Sequence, residues 1–215
     1  MIAAGDALLR LKQGNARFVE GALSLDTSAS QARRSPLIAQ EPIAAILGCS
    51  DSRVPVEIVF DQGLGDLFVI RVAGNIVAPS QIGSVEFAAE RFHTRLVVVL
   101  GHTDCGAVRA TLDQLQQPPE KQSRNLASIV DRIRPSVEGL LHTPLRDRPE
   151  DLEREAMRAN VRVSVNALRH GSEVLERLIE TQGLLIVGAE YCVSVGTVEF
   201  FDISQDPVRV FTGRD

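Results

Sequence analysis

Two short segments of the chain hold side chains that could bind a metal ion. The first follows an apolar run over residues 42–48 and reads Cys49-Ser50-Asp51-Ser52-Arg53. The second follows the apolar run 95–101 and reads His102-Thr103-Asp104-Cys105-Gly106. Short apolar runs that end in glycine are typical of buried strands, and ligand sites form beyond the carboxyl ends of parallel strands. We therefore expect two thiols, an imidazole and a carboxylate to meet at one edge of a sheet.

Zn²⁺ suits this donor set, because it favours four tetrahedral ligands and accepts thiolate and imidazole together. His102 and Cys105 are three residues apart on one turn, and Cys49 approaches from another strand. Three protein ligands leave a fourth position, which Asp51 or a water molecule could fill. A closed structural zinc site is the alternative, and the donor set alone does not distinguish it from an open one.

The spacing of Asp51 and Arg53 predicts an ion pair, because alternate residues of an extended turn point the same way. A carboxylate held by a guanidinium fork is a weaker metal ligand and a better-oriented hydrogen-bond acceptor. Two thiolates and a neutral imidazole cancel the charge of Zn²⁺, which makes bound water less acidic than at a site of three imidazoles. Asp51 could compensate by accepting the hydrogen bond that hydroxide donates.

Composition indicates one globular domain. The chain has 215 residues, of which 44% are hydrophobic and 24% charged, and these fractions are ordinary for a globular protein. It has a formal net charge of −5, no tryptophan and no basic block, so we expect no nucleic-acid partner. Three cysteines suit a reducing compartment. We expect a cytoplasmic protein without a signal peptide or a membrane span.

The order of the predicted elements indicates an α/β fold. Residues 3–20 have helical spacing and lead through a Ser- and Gln-rich connection to the strand that ends at Gly48. Further strands are predicted at 66–72, 95–101 and 184–189, helices at 79–93, 107–113, 125–142, 150–170 and 172–182, and a closing antiparallel hairpin through 198–203. Strand, helix, strand is the arrangement of a parallel sheet.

We therefore expect one structural domain with a mostly parallel central sheet flanked by helices. Within it, an N-terminal helical arm and connection would occupy residues 1–40. A zinc-binding α/β domain would occupy residues 41–215.

The two motifs together resemble those of the β-class carbonic anhydrases, and the likeness extends from the N-terminal helix to the final hairpin. The resemblance implies that Cys49, His102 and Cys105 bind one Zn²⁺ per chain. It implies that Asp51 and Arg53 form a catalytic dyad, with Asp51 on the metal only in a closed form. The implied reaction is the reversible hydration of CO2 to bicarbonate and a proton, by attack of zinc-bound hydroxide.

The resemblance also assigns a substrate pocket. Gln40 matches a glutamine that hydrogen-bonds substrate, and Phe68, Ala73 and Phe87 match an apolar lining that lies partly across a dimer interface. Gly106 belongs to the same set. Apart from the resemblance, the two phenylalanines are typical core residues. The family forms dimers, often paired into tetramers, with the N-terminal helix on the partner. We expect a homodimer or homotetramer here.

One position departs from the family. A bicarbonate-regulated subgroup uses a tryptophan, an arginine and a tyrosine to trap bicarbonate. Ile46 stands at the tryptophan position, although Arg71 and Tyr191 match the other two. We therefore predict weak bicarbonate trapping. We also predict an open, water-ligated zinc near neutral pH, with Asp51 bound to Arg53 rather than to the metal.

Two other functions remain open on the sequence. Hydrolysis of carbonyl sulfide or carbon disulfide could use the same site, because the same hydroxide would attack a similar linear electrophile. A non-catalytic zinc-stabilised interaction module belongs to a different class, and it would need neither Gln40 nor the pair formed by Asp51 and Arg53. No histidine outside the second motif has a ligand-spaced partner, so the sequence does not identify a proton shuttle.

Overall fold

The computed structural model describes residues 2–24, 40–116 and 123–203. The helices are α1 (Ala4–Val19), α2 (Val56–Val59), α3 (Pro79–Arg91), α4 (Gly106–Gln116), α5 (Arg124–Val137), α6 (Pro149–His170) and α7 (Glu173–Gln182). The strands are β1 (Ala44–Gly48), β2 (Leu67–Arg71), β3 (Leu96–His102), β4 (Leu185–Tyr191) and β5 (Val198–Phe201). Short 3-10 turns lie at Ala73–Asn75, Glu138–His142 and Pro144–Asp147. Most of the predicted connection before β1 lies outside the described residues.

The strands form one sheet in the order β2-β1-β3-β4-β5, in which the first four strands are parallel and β5 is antiparallel to β4. The predicted α/β fold with a mostly parallel central sheet is therefore confirmed. Gly48 pairs with Leu100, so β1 and β3 lie side by side and run the same way. The segments that follow these two strands consequently emerge at the same edge of the sheet.

Helices cover both faces of the sheet, which explains why the strands are apolar throughout rather than alternating. Alternate residues of β1 belong to different hydrophobic clusters: Ala45 and Leu47 face helices α3 to α7, whereas Ala44 and Ile46 face α1 and α2. Cys49 continues the first set, so its side chain lies on the α3–α7 side of the sheet.

Helix α1 packs on the sheet of its own chain. Its residues Ala7, Leu8 and Leu11 are buried in the same cluster as Ile46. Gly14 lies so close to the backbone of Phe60 that a Cβ atom there would overlap the Phe60 carbonyl oxygen. The apolar face of this helix completes the chain's own core. The expectation that the helix also lies on a partner subunit stays a prediction.

Asn15 fixes the end of α1 through three backbone groups. Its Nδ2 donates to the carbonyl oxygens of Val59, at 3.1 Å, and Gly196, at 2.8 Å. Its Oδ1 accepts from the N–H of Val198 at 2.8 Å. The side chain is buried, and it therefore joins the first helix to α2 and to the start of the last strand.

No helix in the described ranges has the length and apolarity that a bilayer crossing requires.

Candidate metal centre

The structure brings Cys49, His102 and Cys105 together at the edge where β1 and β3 end. Their ligand atoms all lie within 4.8 Å of one another, and all three residues are buried. His102 is the last residue of β3, and Cys105 directly precedes α4. The short turn between them brings the thiol back beside the imidazole ring. A search of the described residues for three or more His, Cys, Asp or Glu side chains that could hold one metal ion finds this group.

His102 presents an unbonded nitrogen to the two sulfurs. Its Nδ1 lies 2.9 Å from the carbonyl oxygen of Thr103. A carbonyl can only accept, so we assign the proton to Nδ1, which leaves a lone pair on Nε2. Nε2 is buried and has no hydrogen-bond partner in the described part of the chain. A buried acceptor without a partner is costly, and a metal ion between this nitrogen and two thiolates would satisfy it. The donor set therefore fits Zn²⁺.

The two thiols differ in how readily they ionise. Hydrogen bonding from Cys105 lowers the pKa of Cys49, although burial opposes this shift. The same hydrogen bond and burial raise the pKa of Cys105. The N–H of Gly74 also donates to Cys49 Sγ at 3.4 Å. A metal ion binds cysteine sulfurs as thiolates, so its binding would release any proton that these two thiols carry.

Asp51 and Arg53 form the predicted ion pair. The guanidinium donates from Nε to Oδ1 at 3.0 Å and from its terminal nitrogen to Oδ2 at 2.8 Å. The Arg53 N–H adds a bond to Oδ1 at 2.9 Å. These hydrogen bonds hold the pKa of Asp51 well below its usual range. Asp51 is consequently an ionised acceptor at neutral pH, and its Oδ2 lies 4.0 Å from Nε2 of His102.

Residues of the second motif orient Arg53. Its guanidinium also donates to the carbonyl oxygen of Asp104 at 3.0 Å. The Asp104 carboxylate pairs with Arg109 at 3.2 Å, and Arg109 makes two hydrogen bonds of 2.8 Å with Glu153. Exposed ion pairs contribute little stability one by one. We therefore infer that this series of contacts orients the Arg53 guanidinium and adds little to the stability of the fold.

Arg71 contacts the loop of the first motif. It donates to the carbonyl oxygens of Cys49, at 3.0 Å, and Asp51, at 2.5 Å. Ile46 and Tyr191, which the resemblance groups with Arg71, are buried in the cluster on the α1 side of the sheet. Burial raises the pKa of Tyr191. The weak bicarbonate trapping expected from Ile46 stays a prediction.

The two phenylalanines of the expected substrate pocket lie near each other. The ring centroids of Phe68 and Phe87 are 6.2 Å apart, and both rings lie next to Phe92. Phe68 is half-buried against the core. Phe87 is 53% exposed, so its interpretation as a core residue is wrong for the single chain. The aromatic cluster of these three residues instead forms an apolar patch at the surface.

The other expected substrate residues have different surroundings. Ala73 begins the turn whose next residue, Gly74, donates to Cys49 Sγ. Gly106 is exposed and starts α4 directly after Cys105. Gln40 is exposed before β1. The substrate roles of these residues stay predictions.

A cavity of about 690 Å³ lies beside the metal-site residues on the side of α4 and α6. Cys105 lines it, together with charged residues that include Arg109, Glu153, Arg154 and Glu190. None of the expected substrate residues lines this cavity. Its charged wall does not match the apolar CO2 pocket that the resemblance predicts.

Sequence reasoning missed two contacts of the ligand loop. Gly74 precedes Asn75, and a Gly-Asn pair indicates a turn, but nothing in it points to Cys49. Arg71 ends an apolar run, where an arginine is usually read as a solvated residue. Both contacts join segments more than twenty residues apart, at separations of 25 and 22 residues.

Comparison with known proteins identifies close relatives. The family described as carbonic anhydrase matches residues 44–198. A carbonic anhydrase of Mycolicibacterium smegmatis is 40% identical over 191 residues, which cover 88% of this chain and 89% of that protein. Carbonic anhydrase 2 of Mycobacterium tuberculosis is 37% identical over 188 residues, which cover 86% of this chain and 87% of that protein. The crystal structure of a β-carbonic anhydrase from Aspergillus fumigatus superimposes with a TM-score of 0.73 at 25% identity, covering 94% of this chain and 92% of that one.

Proposed function

This chain belongs to the β-class carbonic anhydrase family, and we propose that it hydrates CO2 reversibly to bicarbonate and a proton at a Zn²⁺ held by Cys49, His102 and Cys105. The observation that most directly supports this site is the buried, unbonded Nε2 of His102 within 4.8 Å of two cysteine sulfurs. Zn²⁺, when bound, supplies the charge that makes a water molecule acidic enough to act as a nucleophile near neutral pH.

Asp51 orients the nucleophile in this proposal. Arg53 holds both carboxylate oxygens, so the group cannot rotate and stays an acceptor. A hydroxide has one O–H group, and a hydrogen bond from that group to Oδ2 would orient an oxygen lone pair toward the substrate. Arg71 helps to hold Asp51 in this orientation, because it donates hydrogen bonds to the backbone carbonyl oxygens of Cys49 and Asp51. In this open form Asp51 is bound to Arg53 rather than to the metal.

The substrate side needs apolar surface, because CO2 has no dipole and little capacity for hydrogen bonds. Phe68, Ala73 and Phe87 supply this surface in the proposal and exclude competing water from the nucleophile. Gln40 and Gly106 complete the pocket, with the Gln40 amide as a hydrogen-bond partner of the substrate.

The assembly we propose is a homodimer or homotetramer. The cluster of Phe68, Phe87 and Phe92 supports it, since Phe87 is 53% exposed and exposed apolar patches mark protein interfaces. The three cysteines are free thiols, which suits a reducing compartment such as the cytoplasm.

Stopped-flow CO2 hydration with zinc quantification tests the function. The wild type should contain one zinc per chain, and His102→Ala should lose both the zinc and the hydration activity. His170→Ala is the matched control, since His170 is exposed on the last turn of α6, and it should keep both. Turnover by His102→Ala, or a wild type without stoichiometric metal, would contradict the proposal. Parallel assays of the hydrolysis of carbonyl sulfide and carbon disulfide test whether the site prefers these alternative substrates to CO2.

A further inference from the structure

The turn Ala73–Asn75 has an uncommon backbone. Gly74 has φ 70° and ψ 18°, and Asn75 has φ 42°. Two consecutive residues therefore lie in the left-handed region, which residues other than glycine adopt at a cost. Asparagine tolerates this region better than most residues do, but a short turn with this backbone needs support from its surroundings.

Helix α6 supplies that support from two residues one turn apart. Nδ2 of Asn160 donates to the carbonyl oxygen of Gly74 at 2.7 Å, and Oγ of Ser164 donates to the carbonyl oxygen of Asn75 at 3.0 Å. Both side chains are buried, with exposed fractions of 1% and 2%. Residues at i and i+4 share one face of a helix, so the two donors act on consecutive carbonyls of the turn.

The turn is also closely packed. A Cβ atom on Gly74 would lie 2.8 Å from Cδ1 of Ile133 and 3.1 Å from Cβ of Ala107. Glycine is thus required at this position for its φ angle and for space. Because α4 and α5 enclose the turn from one side and α6 holds its carbonyls, the direction of the Gly74 N–H is determined. That N–H donates to Sγ of Cys49 at 3.4 Å.

We propose that Asn160 and Ser164 are positioning residues of the metal centre, which hold the turn Ala73–Asn75 so that the Gly74 N–H donates to the Cys49 sulfur. This inference rests on the proposed metal site. Partners of metal ligands orient the ligand and tune its electron density, and their loss typically weakens metal binding about 10- to 100-fold. An N–H donor withdraws electron density from a thiolate. Its loss should move the thiolate-to-metal charge-transfer band to lower energy.

Substitution with Co²⁺ gives a readout that is independent of activity. We expect Asn160→Ala to shift the thiolate-to-Co²⁺ band to lower energy and to weaken Co²⁺ binding about 10-fold in competition with a chelator. Ser164→Ala, which removes a single oxygen atom, should shift the band in the same direction even if Asn160→Ala does not fold. Ser164→Thr keeps a hydroxyl and should restore the wild-type band.

Leu168→Ala is the control for a general loss of stability. Leu168 is fully buried on the same helix, so its truncation should lower the melting temperature and leave the band in place. An unshifted band and wild-type Co²⁺ affinity in folded Asn160→Ala and Ser164→Ala would overturn this inference alone. A wild-type chain that binds no Co²⁺ at Cys49, His102 and Cys105 would overturn the proposed function as well.

Discussion

Oδ2 of Asp51 lies 4.0 Å from Nε2 of His102 while it accepts a hydrogen bond of 2.8 Å from Arg53. Oδ2 of Asp51 thus lies next to the ring nitrogen that faces the two thiols, and it keeps its hydrogen bond to Arg53. This arrangement is compatible with the proposed open form, in which Asp51 is bound to Arg53 rather than to the metal.

Asp51→Asn should separate metal binding from catalysis. The substitution keeps the shape of the side chain but replaces one acceptor oxygen with an NH2 group, which cannot accept a hydrogen bond. We expect unchanged zinc content and a CO2 hydration rate lower by on the order of 10²-fold. Asp131→Asn is the control, because the Asp131 side chain is 66% exposed. A wild-type pH–rate profile in Asp51→Asn would rule out the orienting role.

Removal of the metal should abolish activity and leave the chain folded. Hydrophobic clusters bury both faces of the sheet, and they do not depend on the ion. We expect a native far-UV circular dichroism spectrum after chelation, a lower melting temperature because a ligand of the native state is lost, and full recovery with Zn²⁺. Unfolding on chelation, with no hydration activity after zinc is restored, would instead favour a zinc-stabilised interaction module.

Alanine substitution at two glycines of α1 should have different effects on the free energy of unfolding. Gly14→Ala places a methyl group against the backbone of Phe60 and should lower the free energy of unfolding by roughly 3 kcal/mol. A methyl group on Gly5 would meet open space, so Gly5→Ala should be neutral or stabilising by up to about 1 kcal/mol. Chemical denaturation measures both. Equal stabilities of the two variants would show that α1 does not pack on its own chain in solution.

Arg158→Met should destabilise the chain in a pH-dependent way. Arg158 pairs with the buried Glu190 at 2.6 Å and with Glu199 at 2.9 Å, and its loss should cost roughly 2 kcal/mol at neutral pH. The hydrogen bond from Arg158 lowers the pKa of Glu199. A lowered carboxyl pKa stabilises the folded state above the unfolded pKa of about 4.3, and this contribution fades as the pH falls through the folded pKa.

The stability difference between wild type and Arg158→Met should therefore narrow below about pH 4. Arg148→Met is the matched control, since Arg148 and Asp151 are 61% and 54% exposed. It should change stability by less than about 0.5 kcal/mol at any pH. A difference that widens on acidification would refute this assignment.

The strand ends were predictable because local sequence determines them. Apolar runs that stop at Gly48 and Gly101 mark where β1 and β3 reach the sheet edge, and the structure places both glycines within a residue of those ends. The pairing of Asp51 with Arg53 was predictable for the same reason, since it spans two residues.

Contacts between distant segments were not predictable. The bond from Asn160 to Gly74 spans 86 residues, and neither residue type indicates the other. The surface on which α1 packs depends on space rather than on periodicity, because Gly14 permits the close approach to Phe60. An amphipathic pattern shows that a helix has a buried face, but it does not show which chain buries that face.

The three hydrogen bonds of Asn15 have a consequence for how the chain opens. They couple helix α1 to the backbone at Gly196 and Val198, 181 and 183 residues further along, so these regions cannot fray one at a time without breaking a buried amide contact. The amide hydrogens of α1 and β5 should then exchange with solvent in a single cooperative event.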